Sequence, residues 1–573
     1  MKEHGSSRSS TPKLDETLRT NGATVVGTVA SGSRVAEKSS TSLDIQETAN
    51  EDTASITSDD NLTRNIPKSR LYVIIIGLCL LYFISALDMT ILATVYVDIA
   101  NSYHDLSDGI WIITVYLLST TAAQPLFGKF SDILGRFEAV TAAALIFCVG
   151  SVVCAAAHSM GMLLAGRAIQ GIGGGGLLSM TSVILSDVTT ERDRGKYTGF
   201  LAASWGVASA IGPVMGGAIV ENASWRIIFW INLPVCVPTL VVLFFALNIP
   251  RPQGRVMEKL RRIDFIGTLV FQCCIVPLIL AFAWGGQGHK WISGQVLGVI
   301  CASVAVGAVF LFVEWKVAVE PIIPLRLFRI RNVAASSICH FCMGACVYAP
   351  LMFIPLWELS VKRTSETEAG LRLLPLMVAM VVSATVSGII TKRFGRYREM
   401  IWLCGVLIAV GNSLLILYTP SISSGARIGI LAVTGLGLGF GIQTLIIAAQ
   451  CSVNGLDMAA TTSVVIFMRT LGGIFGLSIL SSVLNNNLRT KADALGVRFP
   501  EYNQLIHDTL NDQSVIDKGG DLPSELLLGL VDIFQSSMHK VFIGLIPFSA
   551  LMVLSTLLFK HVDLNQKRRQ TIK

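Results

Sequence analysis

A chain of 573 residues that is 52% hydrophobic and only 14% charged is not an ordinary water-soluble protein, in which about a quarter of the residues are charged. Its net charge of +7 invites a nucleic-acid reading, but the bases sit in short loops between long apolar runs, which excludes a continuous basic surface. Twelve cysteines, Cys79 to Cys451, lie within or beside those runs, so a disulfide framework is not expected.

Residues 1–66 are rich in Ser, Thr, Asp, Glu and Asn and poor in aromatics, and read as a disordered tail. No apolar core follows Met1-Lys2-Glu3-His4, so no cleavable signal peptide is expected and the first span inserts as an anchor. From Leu71 onward fourteen runs are long enough to cross a bilayer. They lie near 71–97, 110–128, 138–158, 161–186, 197–220, 227–248, 265–284, 292–314, 333–357, 369–391, 400–419, 427–451, 461–484 and 540–560. The predicted fold is an all-α integral membrane bundle of fourteen transmembrane helices.

Lys and Arg set the orientation. With the tail inside, the short inner loops at 129–136, 192–196, 251–262, 316–331 and 392–398 hold 18 bases. The short outer loops hold 6, namely Arg226, Lys290, Lys362, Arg363, Arg372 and Arg427. This excess predicts that both termini are cytosolic. Residues 485–539 read as one long outer loop.

The loop after the second span is a polar island, Gly128–Glu138, and its skeleton returns as Gly388–Arg398. Gly128, Gly135 and Arg136 fall on Gly388, Gly395 and Arg396 at a constant offset of 260. A cationic turn repeated once per half predicts a duplicated transporter-like chain. Spans 1–6 (67–248) form one half and spans 9–14 (333–560) the other. Two helices and linkers (249–332) are inserted between them, and 561–573 is a second cytosolic tail.

Two spans carry ionisable groups at depth. Asp88 lies in span 1 and Arg167, followed by Gln170, in span 4. At ~1.5 Å per residue they sit roughly 14 and 9 Å from the outer ends of their helices, so they can meet. Such groups face a cavity or a partner; the plainer alternative is a structural ion pair. Gln124 in span 2 and Glu358 at the end of span 9 are further polar positions, with Glu358 placed near the outer mouth. Gly171–Gly176 formally matches a dinucleotide fingerprint, but no strand-turn-helix surrounds it, so close helix packing is the better reading. Its echo is Gly435–Gly441, and an offset of 264 puts Leu431 opposite Arg167. The ionisable machinery is therefore expected mainly in the first half. Cys339, Cys342, Cys346 and His340 pose the question of a metal site, but packed cysteines on an apolar helix are the ordinary outcome, and no metal is expected.

The loop Gly128–Glu138 resembles the motif between the second and third helices of major facilitator superfamily transporters. Gly206 with Gly212-Pro213-Val214-Met215-Gly216-Gly217 resembles the signature of that superfamily's exporters. Ser224–Pro234 resembles the Trp-Arg run of its fourteen-span drug:proton antiporter branch, with Ile227 in place of a second Trp. Arg262–Gly267 and Phe467–Gly473 fit the same branch, and the pattern is most similar to fungal members that export toxins, drugs and secondary metabolites. The sequence departs from the family at Ile133, where a base is usual, and at Trp357-Glu358, where Phe-Gln is common.

This resemblance implies a major facilitator fold in which spans 1, 4, 9 and 12 line the path. It implies alternating access with protons as the driving ion and a small organic molecule as substrate. Asp88 would carry the proton with Arg167 beside it. Asp132 and Arg136 would latch the inner gate, and Gly212-Pro213 would let span 5 bend. No nucleophile–base pair or phosphate loop is present, so neither an enzyme nor a cofactor is expected, and ATP bound to this chain is not the energy source. The expected partners are substrate, protons and lipid, with no nucleic acid, in a monomer of the plasma membrane. Two alternatives remain: a vacuolar carrier taking basic amino acids into the lumen by proton antiport, and a nutrient sensor that no longer transports. Intact motifs argue against the sensor.

Overall fold

The computed structural model describes residues 67–103, 109, 111–247, 264–286, 291–317, 321–364, 366–394, 397–454, 457–506 and 523–560. All of these belong to the compact unit Asp59–Lys573. The tail 1–66 therefore lies outside the described residues, as do 561–573, the 249–263 linker, and Gly395 and Arg396 of the second cationic turn.

The main helices, in chain order, are α1 (Lys68–Ser102), α2 (Trp111–Leu134), α3 (Arg136–Ala155), α4 (Met160–Val188) and α5 (Glu191–Asn222). They continue with α6 (Ile227–Ala246), α7 (Phe265–Gly286), α8 (Gly294–Lys316), α9 (Arg331–Lys362) and α10 (Leu374–Phe394). The last are α11 (Arg398–Leu414), α12 (Ser424–Gln450), α13 (Met458–Arg498) and α14 (Glu525–Thr556). Thirteen are long and apolar enough to cross a membrane. The fourteenth, α2, has 24 residues but carries Ser119, Thr120, Thr121, Gln124 and Ser131, all buried. Its polar groups face neighbouring helices and not lipid, so a bilayer accepts it. The fold is the fourteen-helix bundle that the apolar runs predict.

The two halves pack alike. In the first, α4 lies against α2 and α3, and α1 against α5 and α6; in the second, α12 lies against α10 and α11, and α9 against α13 and α14. Local chemistry repeats too. Ser159 caps α4 by accepting from the backbone N–H of Met162, and Ser423 caps α12 by accepting from that of Ala426. Gly171 and Gly175 press on the carbonyls of Tyr116 and Thr120, where a Cβ would clash; Gly435 and Gly439 do the same on Leu376 and Met380. In all three comparisons α12 follows α4 at an offset of 264. The glycine stretches are thus packing surfaces.

The halves meet through α5 against α10 and α2 against α13, the same contact related by the repeat. The α7–α8 pair rests on α13 and α2 at one side. It leaves Leu269, Val304, Phe312 and Trp315 exposed, a surface suited to lipid.

The stretch 485–539 differs from the loop its polarity predicts. Helix α13 is 41 residues long, roughly 60 Å, and α14 begins at Glu525. Both run past the ~30 Å a bilayer core requires. Their extensions bury Ala492, Ile506, Leu526 and Leu530 together, and Arg498 pairs with Glu525 at 3.3 Å. A sparse helical stripe of apolar residues, hidden among polar ones, makes this small satellite core. Residues 507–522 lie outside the described residues.

Candidate functional site

The end of the bundle where α1 starts is here the tail face, and the opposite end the far face. Deep in the first half, Asp88 on α1 accepts from Arg167 Nη1 at 2.6 Å, from Gln170 Nε2 at 2.7 Å and from Asn232 Nδ2 at 3.1 Å. Ser151 on α3 accepts from the same two amides at 2.8 and 3.1 Å. Arg167 also donates to Gln170 Oε1 at 2.6 Å and to the Ile112 carbonyl at 3.0 Å, and its guanidinium lies 4.2 Å from the Tyr116 ring centroid. Asp88 and Arg167 are 0% and 1% exposed at the side chain. Five helices thus close around one ion pair. Burial makes this pair costly to form and costly to break: removing one partner leaves an uncompensated charge, about 3–5 kcal/mol.

Asp88 and Arg167 therefore meet, as their depths predict, but inside the first half and not across a path between halves. Asn232 and Ser151 are partners that the sequence reading did not single out. Asn232 stood in the quoted Trp-Arg run, and a lone amide in an apolar span was its signal; a serine at Ser151 gave none.

Helix α5 carries the exporter signature. It runs unbroken through position 213, whose missing N–H leaves the Ser209 carbonyl without its helical donor. Nearby, the Thr90 hydroxyl donates to the Ala208 carbonyl at 3.2 Å, and a Cβ on Gly212 would lie 3.0 Å from the Thr90 Cβ. Gly206 faces Val381 of α10, where a Cβ would come within 2.8 Å, and Gly216 is buried, whereas Gly217 faces open space. The helix is therefore seated on both α1 and the other half.

The first cationic turn is pinned by ion pairs within the first half. Gly135 takes φ 121°, a backbone conformation that favours glycine. Arg136 Nη1 meets Asp132 at 2.5 Å and Ser131 at 2.7 Å, while its Nε meets Asp187 at 2.6 Å. Asp187, at the end of α4, was not foreseen; its place in the last turn before the next loop was the available hint. Gly128 is pressed on Ser463 and Ala459 of α13, so this turn also touches the second half. Gly388 is buried in α10.

A narrow cleft lies between the halves, lined by Tyr82, Ala202, Trp205, Val347, Tyr348, Met380, Ile442 and Arg469. These come from α1, α5, α9, α10, α12 and α13. Helix α4, expected to line the path, does not contribute; its polar groups are spent on the Asp88 cluster. On the tail side of the cleft, Arg194 donates to Gln450 at 3.1 Å and Gln443 to the Thr198 carbonyl at 2.6 Å. At mid-depth Gln124 and Thr470 are bonded across the halves at 3.2 Å.

The second half is not poor in charge, contrary to expectation. Glu358 on α9 is fully buried, accepting from the Tyr418 hydroxyl at 2.9 Å and from Arg427 Nη1 at 3.4 Å. Leu431 does stand opposite Arg167, but Arg427, one turn earlier on α12, takes up the same kind of pairing. Glu358 is thus part of a buried acid–arginine cluster, off the cleft. Arg469, in the Phe467–Gly473 run, is charged and on the cleft wall.

The family profile of the Major Facilitator Superfamily matches residues 78–477. An efflux pump, FUS6, from Gibberella moniliformis is 32% identical over 440 residues, covering 76% of this chain and 78% of its own. The aspyridones efflux protein of Neocamarosporium betae is 34% identical over 417 residues, covering 72% and 74%. Among solved structures, the human organic anion transporter MFSD10 superposes with a TM-score of 0.54 at 15% identity, covering 86% of this chain and all of its own. The proton:xylose symporter XylE gives 0.53 at 14%, covering 85% and 95%. At such identities these two speak for the fold alone.

Proposed function

Because this chain belongs to the major facilitator superfamily, we propose that it exports small organic molecules across a membrane in exchange for protons, by alternating access. The observation that carries this reading is the cleft between two repeat-related halves, bridged on its tail side by Arg194–Gln450 and Gln443–Thr198. Two pseudo-symmetric bundles with a site at their interface rock about that site, so that it opens to one face at a time. The relatives named as efflux pumps support the direction, from cytosol outward.

In this reading Asp88 exchanges protons. Neutralising it would release Arg167, Gln170 and Asn232 together, loosening α1, α4 and α6 at one point. Thr90, two residues along α1, touches α5 at Ala208 and Gly212, so a change at Asp88 reaches the helix that contacts the other half. The cationic turn holds the tail side, with Arg136 between Asp132 and Asp187. The protein would act as a monomer in the plasma membrane with both termini cytosolic. The vacuolar carrier for basic amino acids is disfavoured by the cleft, whose described wall holds Arg469 and no acid.

The test uses purified protein in vesicles with an imposed pH gradient. Addition of a transported compound should dissipate the gradient, and the gradient should drive its accumulation. Accumulation that is indifferent to the gradient would remove proton coupling while leaving transport in place.

A further inference from the structure

Among the described residues, two arginines of the membrane core are each paired with an acid. Arg167 has Asp88 and Arg427 has Glu358, so neither pair carries net charge. Arg469 is different. Its described side-chain partner is the neutral Tyr82 hydroxyl, at 3.5 Å from Nη2, and no carboxylate pairs with it among the described residues. A cation held at mid-membrane without a counter-ion is expensive, and such groups mark substrate paths.

The surroundings hold this guanidinium at the cleft. Gly344 of α9 lies against the Arg469 carbonyl, so closely that a Cβ there would collide with it. Gly473, one turn further on α13, lies under the Tyr348 ring, whose Cε2 would be 2.7 Å from an added Cβ. Helices α9 and α13 thus meet glycine to backbone and glycine to ring, which fixes Arg469 and Tyr348 on one wall. Tyr82 and Trp205 supply further aromatic surface, and Arg469 is the charged member of the lining.

We infer that Arg469 is the anchor of an anion subsite, and that the cleft takes amphipathic organic acids: a carboxylate, or an equally acidic oxygen, on a flat apolar or aromatic body. The carboxylate accepts the planar fork of the guanidinium. The body lies on Tyr82, Tyr348 and Trp205, surfaces that favour rings. A cationic substrate meets the same arginine as a repulsion. This deepens the export reading, on which it rests for the direction of movement but not for binding.

The test compares three probes of one shape on the purified full-length protein: 2-naphthoate, 2-naphthamide and 2-naphthylmethylamine, by thermal stabilisation and equilibrium binding. The anion should bind and stabilise, with the amide and the amine at least about tenfold weaker, the loss expected when a charged hydrogen bond is removed. Arg469→Gln should abolish the preference for the anion, and Arg469→Lys should keep part of it. Equal or stronger binding of the amine to the wild type overturns the proposal, as does failure of the anion to bind. Both hold even where a variant does not fold, because they need only the native protein. A folded Arg469→Gln that still prefers the anion also overturns it. Anion binding without any export of 2-naphthoate from loaded vesicles would instead count against the export reading and leave the subsite standing.

Discussion

The hydroxyl of Thr90 in α1 reaches across to the carbonyl of Ala208 in α5 at 3.2 Å, and its side chain rests against Gly212. The carbonyls of Ala86 and Leu87 on its own helix, at 3.1 and 3.2 Å, are alternative acceptors for the same hydroxyl proton. The contact therefore joins the helix that carries Asp88 to the weakest point of the helix that packs on the second half. A buried carboxylate and a bendable helix are thereby mechanical neighbours, which is what coupling of a proton to a rocking motion needs.

Asp88→Asn retains hydrogen-bonding shape but removes the charge that Arg167 pairs with. Gradient-driven accumulation should vanish, while substrate-for-substrate exchange, which needs no net proton movement, persists. Both are read in reconstituted vesicles with and without a pH gradient. If Asp88→Asn and Arg167→Leu are both absent from the membrane and neither exchanges, the cluster is a structural ion pair.

Asp132→Asn and Asp187→Asn each take one charged acceptor from Arg136, worth about 1.5–3 kcal/mol apiece. Transport should fall steeply with surface expression unchanged, and the double variant should be little worse than the stronger single one, since both act through one guanidinium. Wild-type efflux from both single variants would reduce the turn to a topology signal.

Gly128→Ala places a methyl group against Ser463, an overpacking that costs about 1–3 kcal/mol. That cost falls on the arrangement in which the tail sides of the halves touch. The equilibrium should move about five- to 150-fold away from it. In a cysteine-depleted protein, a probe cysteine at Val347 should label more slowly from the far side; unchanged labelling would mean that this contact does not set the balance.

Loop charge predicts the topology. An impermeant thiol reagent applied to intact cells should modify a cysteine introduced in 485–539 and spare one introduced in 1–66 or 561–573. One tail labelled from outside would end the even-span arrangement, and both labelled would invert the orientation.

The sequence by itself determined the number of helices, the duplication and the inserted pair, because a bilayer forces every crossing segment to announce itself as an apolar run. It also marked which spans hold costly groups: Asp88, Arg167 and Glu358 were visible as charges where lipid tolerates few. Tertiary structure alone decided what those charges meet. Helices such as α1 and α9 are apolar nearly all round, so nothing in their pattern says how they are rotated or which neighbour a side chain faces. That rotation encloses Asp88 with Asn232 and Ser151, turns Glu358 toward Arg427, joins Arg136 to Asp187, and leaves Arg469 on the cleft wall. The extended α13 escaped the hydropathy pattern for the converse reason: beyond the bilayer water satisfies polar groups, so a helix there needs only a thin apolar stripe, and the stripe is recognisable only beside the helix it packs on.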